Sequence, residues 1–369
     1  MRRTTTLTAT LFLIAFFFCN VAFSQTYFFV AANGENNPAG IRIFSFNEED
    51  GSITPAGENG HLKGASYFNL SPDHRTLYAV GNDQVSAFSV GEQGKLTWLN
   101  SQSSEGRGPC FVSTDQTGKF VFVANYGGGT ISMYPVNDDG SLQAASQSIK
   151  HEGSSANPDR QKEPHPHMIL ISPNNKYVFV PDLGTDKVMA YALDEASGKI
   201  SAAATPFVQM EPGSGPRHFE IHPDQKTMFV LNELVGTVTA VSMEGDYGLK
   251  KVNQTYNLLP EGFSGQNSSA DIHITPDGKF LYGTNRGPNS LAMFKVLRGG
   301  KLEFIGHEPT RGETPRNFTI HPTGKYLLAA NQNSNNLIVF SIDKASGKLA
   351  FLHEYEDIPG PMCIKFLKN

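Results

Sequence analysis

The sequence predicts an all-β protein built as one seven-bladed β-propeller with four antiparallel strands in each blade. Three observations carry this. First, six segments share one pattern: a turn with Pro, Asp or Asn, a basic residue, a run of β formers, then Asn, Asp or Gly. They are SPDHRTLYAVG (71–81), STDQTGKFVFVAN (113–125), SPNNKYVFVPD (172–182), HPDQKTMFVLN (222–232), TPDGKFLYGTN (275–285) and HPTGKYLLAAN (321–331). Second, their basic residues, Arg75, Lys119, Lys176, Lys226, Lys279 and Lys325, are 44, 57, 50, 53 and 46 residues apart. A period of about 40–50 residues with several strands per unit marks a propeller. Third, the two chain ends carry complementary parts of one further unit.

Each unit resolves into four strands. Strand A precedes the turn, as in HMILIS (167–172) and RHFEIH (217–222), and strand B follows it. Strand C comes next, as in LIVFSI (337–342), and strand D starts at a glycine turn, as in GKLTWLN (94–100) and GSLQAAS (140–146). β-branched and aromatic residues at this spacing, bounded by Gly, Pro and Asp, are the strand signal. The remaining blade is split. The N-terminal part supplies strands B to D (27–32, 41–46 and 51–56), and GPMCIKFL (360–367) supplies strand A. The last strand is therefore expected to pair with the first and close the ring, which removes exposed sheet edges.

Residues 1–24 read as a secretory signal peptide, with residues 25–369 as the propeller. Arg2 and Arg3 form a basic start, residues 11–18 are an apolar run, and Ala22 and Ser24 offer small residues for cleavage after Ser24. The run is short of the roughly 20 residues of a membrane span. A lipid anchor at Cys19 is the rival reading, disfavoured by the bulky Phe18 before it. An exported protein, periplasmic or secreted, is expected.

Without the leader the chain carries 28 basic and 35 acidic residues, a net charge of −7, with no basic cluster. Nucleic acid and anionic membranes are poor partners for such a surface. Cys110 and Cys363 alone remain, too few for a disulfide framework or a cysteine zinc site.

Strands A and B run antiparallel, so the start of A and the end of B share one face of the ring near its axis. Nine residues before each basic residue stand Ser66, Cys110, His167, Arg217, Ala270 and Arg316, with Met362 in the split blade. Seven after it come Asn82, Leu183, Glu233, Arg286 and Gln332. These positions vary while the strands around them repeat, so function is expected there. His167, Arg217, Glu233 and Arg286 come from three successive blades and are expected to converge. Two guanidiniums can hold an oxyanion, and a histidine or carboxylate beside them can move protons. The alternative for the same residues is a static ion-pair network around Glu233.

The long interval holds HEGSSANPDRQKEPHPH (151–167), just before the fourth strand A and over the same rim. Long loops in compact repeats are often functional, so Arg160, Gln161 and His165 join a second tier of substrate-binding candidates with Arg316, Asp182 and Asn125. The Asx residue after strand B (Asn33, Asn125, Asp182, Asn232, Asn285, Asn331) also has a structural reading, a side chain bonding its own turn. His222 and His321 fall in the turns on the opposite face, and His273 reads as a satisfied inner-strand histidine. His165 and His167 find no third ligand at a useful spacing, so neither a metal nor another cofactor is expected.

NPDRQ (157–161), PHPH (164–167), GPRH (215–218), Asn232-Glu233, ADIHITPDGKFLYGTNRG (270–287) and TPRNF (314–318) together resemble the lactonase family of seven-bladed propellers. That family includes propeller-type 6-phosphogluconolactonase and the fungal 3-carboxymuconate lactonizing enzyme. The resemblance spans essentially the whole chain after the leader. It implies an active-site set of His167, Arg217, Glu233 and Arg286, the four that register counting selects. It implies a carboxylic ester hydrolase acting on a small lactone or acidic sugar: His167 or Glu233 activates water, and Arg217 and Arg286 hold the oxyanion. Export departs from the pattern, since sugar phosphates are cytoplasmic, and points to an unphosphorylated aldonolactone. A lactonizing cycloisomerase and a non-catalytic binding propeller are the alternatives.

Overall fold

The computed structural model describes residues 25–33, 40–245 and 247–367. The proposed leader, residues 1–24, lies outside the described residues. Among them, no helix is long and apolar enough to cross a membrane.

Seven sheets of four strands each are arranged as predicted, each running in sequence order from an inner to an outer strand except in the split blade. In that first blade, Pro361–Phe366 pairs antiparallel with Gln25–Ala32, setting Phe28 opposite Phe366, Val30 opposite Ile364 and Ala31 opposite Cys363. Phe28, Phe46 and Phe366 then pack ring against ring across the closure, with centroids 5.3–6.5 Å apart.

Burial changes across each blade and explains the residue choice. Strand B is covered on both faces by neighbouring blades, and Phe120–Asn125, Thr227–Asn232 and Tyr326–Asn331 are buried throughout. Such strands read as continuous apolar runs rather than alternations. Strand D forms the rim, and Lys199–Gln209 is mostly exposed. The A–B turns repeat one device. A hydroxyl before the turn accepts the N–H that follows it, at 3.0 Å for Ser71 to Thr76, 2.9 Å for Ser172 to Tyr177 and 3.0 Å for Thr275 to Phe280.

Two sequence expectations need correction and a third is extended. Strand A of the fourth blade is not continuous over 167–172; only Leu170–Ile171 pairs as strand, preceded by an isolated bridge at Pro166. With Leu170 opposite Phe179, Met168 falls opposite Pro181, which has no N–H to donate, and the ladder is interrupted there. Strand D of the third blade lies at Gln147–Lys150, not at 140–146. The backbone of Leu142 is held instead by Asn100 of the second blade, through bonds of 2.7 and 2.9 Å. The recurring Asx after strand B bonds its own turn in part: Asp182 Oδ1 accepts from Gly184 N–H, and Asn125 and Asn232 donate across their turns to Thr130 and Thr237, each at 3.0 Å. Asn125, Asn285 and Asn331 donate to Ser104, Leu258 and Thr310 carbonyls at 2.7, 2.6 and 2.8 Å, and so tie each blade to the D–A connection before it.

Ile364 is fully buried in the closing strand. Ile364→Ala is expected to cost about 2–5 kcal/mol through lost transfer energy and an unfilled cavity, measured as a lower urea midpoint with an unchanged m-value.

Candidate active site

The starts of the inner strands are shaped by bulges. The ladder skips Cys110 after Pro109, Arg217 after Pro216, Arg316 after Pro315, and Met362 after Pro361. A proline cannot donate to the ladder, and the residue left unpaired is free to aim its side chain elsewhere. Here that direction is the ring axis. Ser66, Cys110, His167, Arg217, Arg316 and Met362 all border a recess of about 10 Å³ with Tyr67, His218 and Asn317. Above it opens a cleft of about 360 Å³ bordered by Tyr126, Arg160, His167, Glu233, Arg286 and Arg316.

Glu233 is the hub. Its Oε2 lies 2.9 Å from Arg217 Nε and 3.1 Å from Arg286 Nη2, and its Oε1 accepts from Arg160 Nη2 at 2.8 Å. Ser268 Oγ donates to Oε1 at 2.9 Å. Burial alone would raise this carboxyl; the charges of Arg286, Arg217 and Arg160 outweigh it and hold the group down at about 2. The Arg217 contact is ionic rather than a well-aligned hydrogen bond, as its Nε lacks a hydrogen-bond acceptor. Arg217 also donates through Nη1 to the Ala270 carbonyl. Arg286 donates to Ser268 through Nε at 2.7 Å and Nη2 at 2.6 Å. Thus the two arginines expected to await an oxyanion are both engaged with Glu233.

His167 and Arg316 are not spent in this way. His167 Nδ1 is buried without a hydrogen-bond partner. Burial, then the charge of Arg217, keeps this histidine well below its usual range and therefore neutral. The Arg316 guanidinium makes no hydrogen bond or ion pair among the described residues, and it borders both recess and cleft. Burial, then Arg217, lowers it to about 10, so it remains charged at neutral pH. Burial pushes the Cys110 thiol beside them up to about 12, which leaves it protonated.

The loop 151–167 is clamped over this rim. His151 joins Asp182 Oδ2 at 2.6 Å and the Tyr191 hydroxyl at 3.0 Å. Asp182 Oδ1 accepts from the His165 and Gly184 N–H groups at 2.8 and 3.0 Å. A Cβ at Gly184 would stand 1.9 Å from the Glu163 carbonyl oxygen, so only glycine permits this approach. So held, the loop places Arg160 against Glu233 and, at 3.1 Å, against the Tyr126 hydroxyl.

Several second-tier candidates therefore change role. Gln161 is fully buried, donating to the Leu183 carbonyl at 2.8 Å and accepting from Asn157 N–H at 2.9 Å. Asp182 is spent on the loop clamp, and Asn125 on Ser104, Thr130 and Ser132. These three side chains brace the wall and do not reach the cleft. His165 stacks on Tyr126, centroids 4.4 Å apart, and meets the Tyr126 carbonyl through Nδ1 at 2.9 Å, behind the cleft surface. His273 is satisfied as expected, with Glu220 at 2.6 Å and Asp271 at 3.2 Å. The described residues contain no group of three or more His, Cys, Asp or Glu placed to hold a metal ion.

Sequence reasoning passed over Tyr126, Ser268, His218 and Asp271. Tyr126 stands seven residues after Lys119, where Glu233 and Arg286 stand in their own blades, so the same count finds it. Ser268 gives no such signal, because it precedes the counted start of its strand.

A closed propeller with a buried cationic cluster, a neutral histidine and an unpaired arginine at its axis can hold an oxygen-rich anion and move a proton beside it. Residues 27–366 match the family described as "Lactonase, 7-bladed beta-propeller", and the chain belongs to it. It is 34% identical over 349 residues to the 6-phosphogluconolactonase of Bacillus subtilis, covering 92% of this chain and 97% of that one. It is 37% identical over 305 residues to that of Formosa agariphila, covering 79% and 85%. The solved structure of the periplasmic gluconolactonase of Pseudomonas aeruginosa superposes with a TM-score of 0.87 at 32% identity, over 94% of this chain and 99% of that one. The expectation of a lactonase-type carboxylic ester hydrolase stands at the level of the family.

Two titrations follow. Glu233, lowered from 4.5 to about 2, contributes stability that is present above pH 4.5 and lost as pH falls towards 2, on the order of 3 kcal/mol. Glu233→Gln is expected to be less stable at pH 7 and to flatten acid unfolding across that window. For His273, burial works against charging, but Asp271 and Glu220 win and raise it from 6.5 to about 9. Its contribution is present below pH 6.5 and lost as pH rises through 9, so His273→Gln is expected to flatten the alkaline side of the stability profile. Urea unfolding across pH measures both.

Proposed function

We propose that this protein opens a sugar lactone with water, with His167 as general base and Arg316 as the principal oxyanion partner. The observation that carries the reading is the pairing of two uncommitted groups. The unpartnered Nδ1 of His167 and the unpaired guanidinium of Arg316 border the same recess, while every other charged group at the cleft is engaged.

In this reaction His167 takes a proton from the attacking water, and the carbonyl oxygen gains negative charge beside Arg316 and Arg286. Collapse of the tetrahedral centre expels the ring oxygen, which receives the proton from the imidazolium, and leaves a hydroxy acid whose carboxyl proton is released at neutral pH. The depressed basicity of His167 fits this second half. A weakly basic imidazole is a strong acid once protonated, and the growing oxyanion offsets the arginine charges that depress it. Glu233, held at about 2 and occupied on both oxygens, is poorly suited to act as a base. Its role in the reading is to hold Arg160, Arg217 and Arg286 in place.

Four arginines against one glutamate leave a net charge of +3 over the cleft and the recess beneath it, which favours an acidic ligand or product. The leader pattern at residues 1–24 supports export, and with it an unphosphorylated aldonolactone as substrate; the name of the Pseudomonas aeruginosa protein is consistent with that choice. The surplus charge instead favours a phosphorylated lactone, so both belong in one assay.

That assay is pH-stat hydrolysis of glucono-δ-lactone and 6-phosphogluconolactone by the protein without residues 1–24. Wild type is expected to exceed the buffer rate on at least one lactone. His167→Ala is expected to lose about 10²–10⁴-fold in kcat, and Arg316→Met about 10²–10³-fold. No excess over buffer on either lactone would sink the reading and favour a binding propeller.

A further inference from the structure

Below the cleft floor, a second layer of inner-strand side chains forms a continuous run of contacts. Arg217 Nη1 lies 3.3 Å from His218 Nε2. His218 Nδ1 lies 2.7 Å from Asp271 Oδ1. Asp271 Oδ2 accepts from Asn317 Nδ2, from the Phe318 N–H at 3.2 Å and from His273 Nε2 at 3.2 Å. Arg217, His218, Asp271 and Asn317 are each at most 4% exposed.

The proton positions follow from donor chemistry. A guanidinium can only donate, so His218 Nε2 must offer a lone pair, and the ring proton sits on Nδ1, pointing at Asp271. Asp271 cannot turn away, because its other oxygen is fixed by Asn317 and Phe318 from the neighbouring blade. The His218 ring is wedged in turn against Phe111 and His167, with centroids 5.4 and 5.3 Å away. Arg217 has a second anchor in Glu233, through Nε. The Ala270 carbonyl also accepts from Nη1, so that His218 and Ala270 share one guanidinium nitrogen while Glu233 faces another, and little freedom is left to the group.

We infer that Asp271 and His218 are positioning residues: Asp271 fixes the tautomer of His218, and the lone pair of His218 Nε2 turns Arg217 so that its guanidinium borders the recess beside His167. The inference rests on the hydrolytic reading above. It assigns work to two buried residues that the ring-opening steps themselves leave idle.

Two substitutions separate positioning from mere packing. In His218→Gln the side-chain oxygen reaches the place of Nε2 and keeps an acceptor for Arg217. In His218→Asn the amide nitrogen reaches the place of Nδ1 and keeps the donor to Asp271, but the acceptor is lost. Asn is expected to lower kcat by about 30–100-fold with KM within about threefold, and Gln to stay within about fivefold of wild type, because misplacing a group by about 1 Å can cost 10²-fold. Equal losses in the two variants, or a better Asn, would overturn the inference.

A readout independent of turnover is the ¹⁵N spectrum of the histidine rings and of the Arg217 guanidinium. The wild type is expected to carry the His218 proton on Nδ1. Asp271→Asn, which can turn an N–H toward the ring, is expected to move that proton to Nε2 and to shift the Arg217 Nη signals. A wild-type proton on Nε2 overturns the inference even if lactones are hydrolysed. A wild type that turns over no lactone but shows the Nδ1 tautomer and the Arg217 shift sinks the hydrolytic reading and leaves the positioning intact.

Discussion

One buried carboxylate gathers three guanidiniums, and the rest of the site depends on it. Arg160 from the long loop, Arg217 from the fifth blade and Arg286 from the sixth all converge on Glu233. Four arginines within one axial cleft would otherwise repel one another strongly, and burying any of them unpaired would be costly. Glu233 offsets much of that cost at one point. It also decides which cation is left over, because its two oxygens are fully subscribed by three arginines and a serine. The fourth arginine, Arg316, is left facing the recess and the cleft, which is why the proposed reaction assigns the oxyanion to it.

The ring supplies the geometry this needs. Residues of different blades meet at the axis only if the circle is closed, so pairing between Pro361–Phe366 and Gln25–Ala32 is a condition for the site as much as for the core. The inner strands then stack their side chains in layers along the axis. The proline-linked bulges turn Cys110, Arg217, Arg316 and Met362 inward at the top. His218, Asp271 and Asn317 form the next layer, and Glu220 and His273 the one below. The second and third layers are tied across blades, His218 to Asp271, Asp271 to Asn317 and Glu220 to His273, so the floor beneath the cleft is held from more than one strand.

Most of the fold was legible because its signals are local and repeated. A turn with a basic residue fixes where strand B begins, and antiparallel pairing then fixes where strand A starts, so counting nine residues back placed five side chains on the recess, and the matching strand of the split blade added Met362. Counting cannot give side-chain direction. Nothing in the spacing distinguishes Arg217, bound to Glu233, from Arg316, which is not, although both follow Gly/Thr-Pro and both sit at bulges. That difference arises because Glu233 belongs to Arg217's own blade and is already satisfied by its neighbours. Asn125 and Asp182 were misplaced for a related reason. Their register is right, but their side chains face a D–A connection and a loop whose positions are set by tertiary packing.

The contrast between Glu233 and His167 shows how one electrostatic environment divides labour. Both are buried in the same cationic field. Burial opposes charge on both; the field stabilises the carboxylate and opposes the imidazolium, so it overrides burial to hold Glu233 down at about 2 and adds to burial, the larger cause, in keeping His167 well below its usual range. The carboxylate becomes a permanent anion with no useful proton affinity, fit for holding cations. The imidazole becomes a neutral lone pair that gains basicity only when negative charge appears beside it. A ring opening that creates an oxyanion next to Arg316 provides that charge at the moment the proton must move. The same arginines therefore join burial in keeping the histidine unprotonated in the resting protein, and their opposition relaxes as the oxyanion forms. This coupling requires the histidine and the unpaired arginine to share one recess, and the bulge at Arg316 and the proline-broken strand at His167 bring them there.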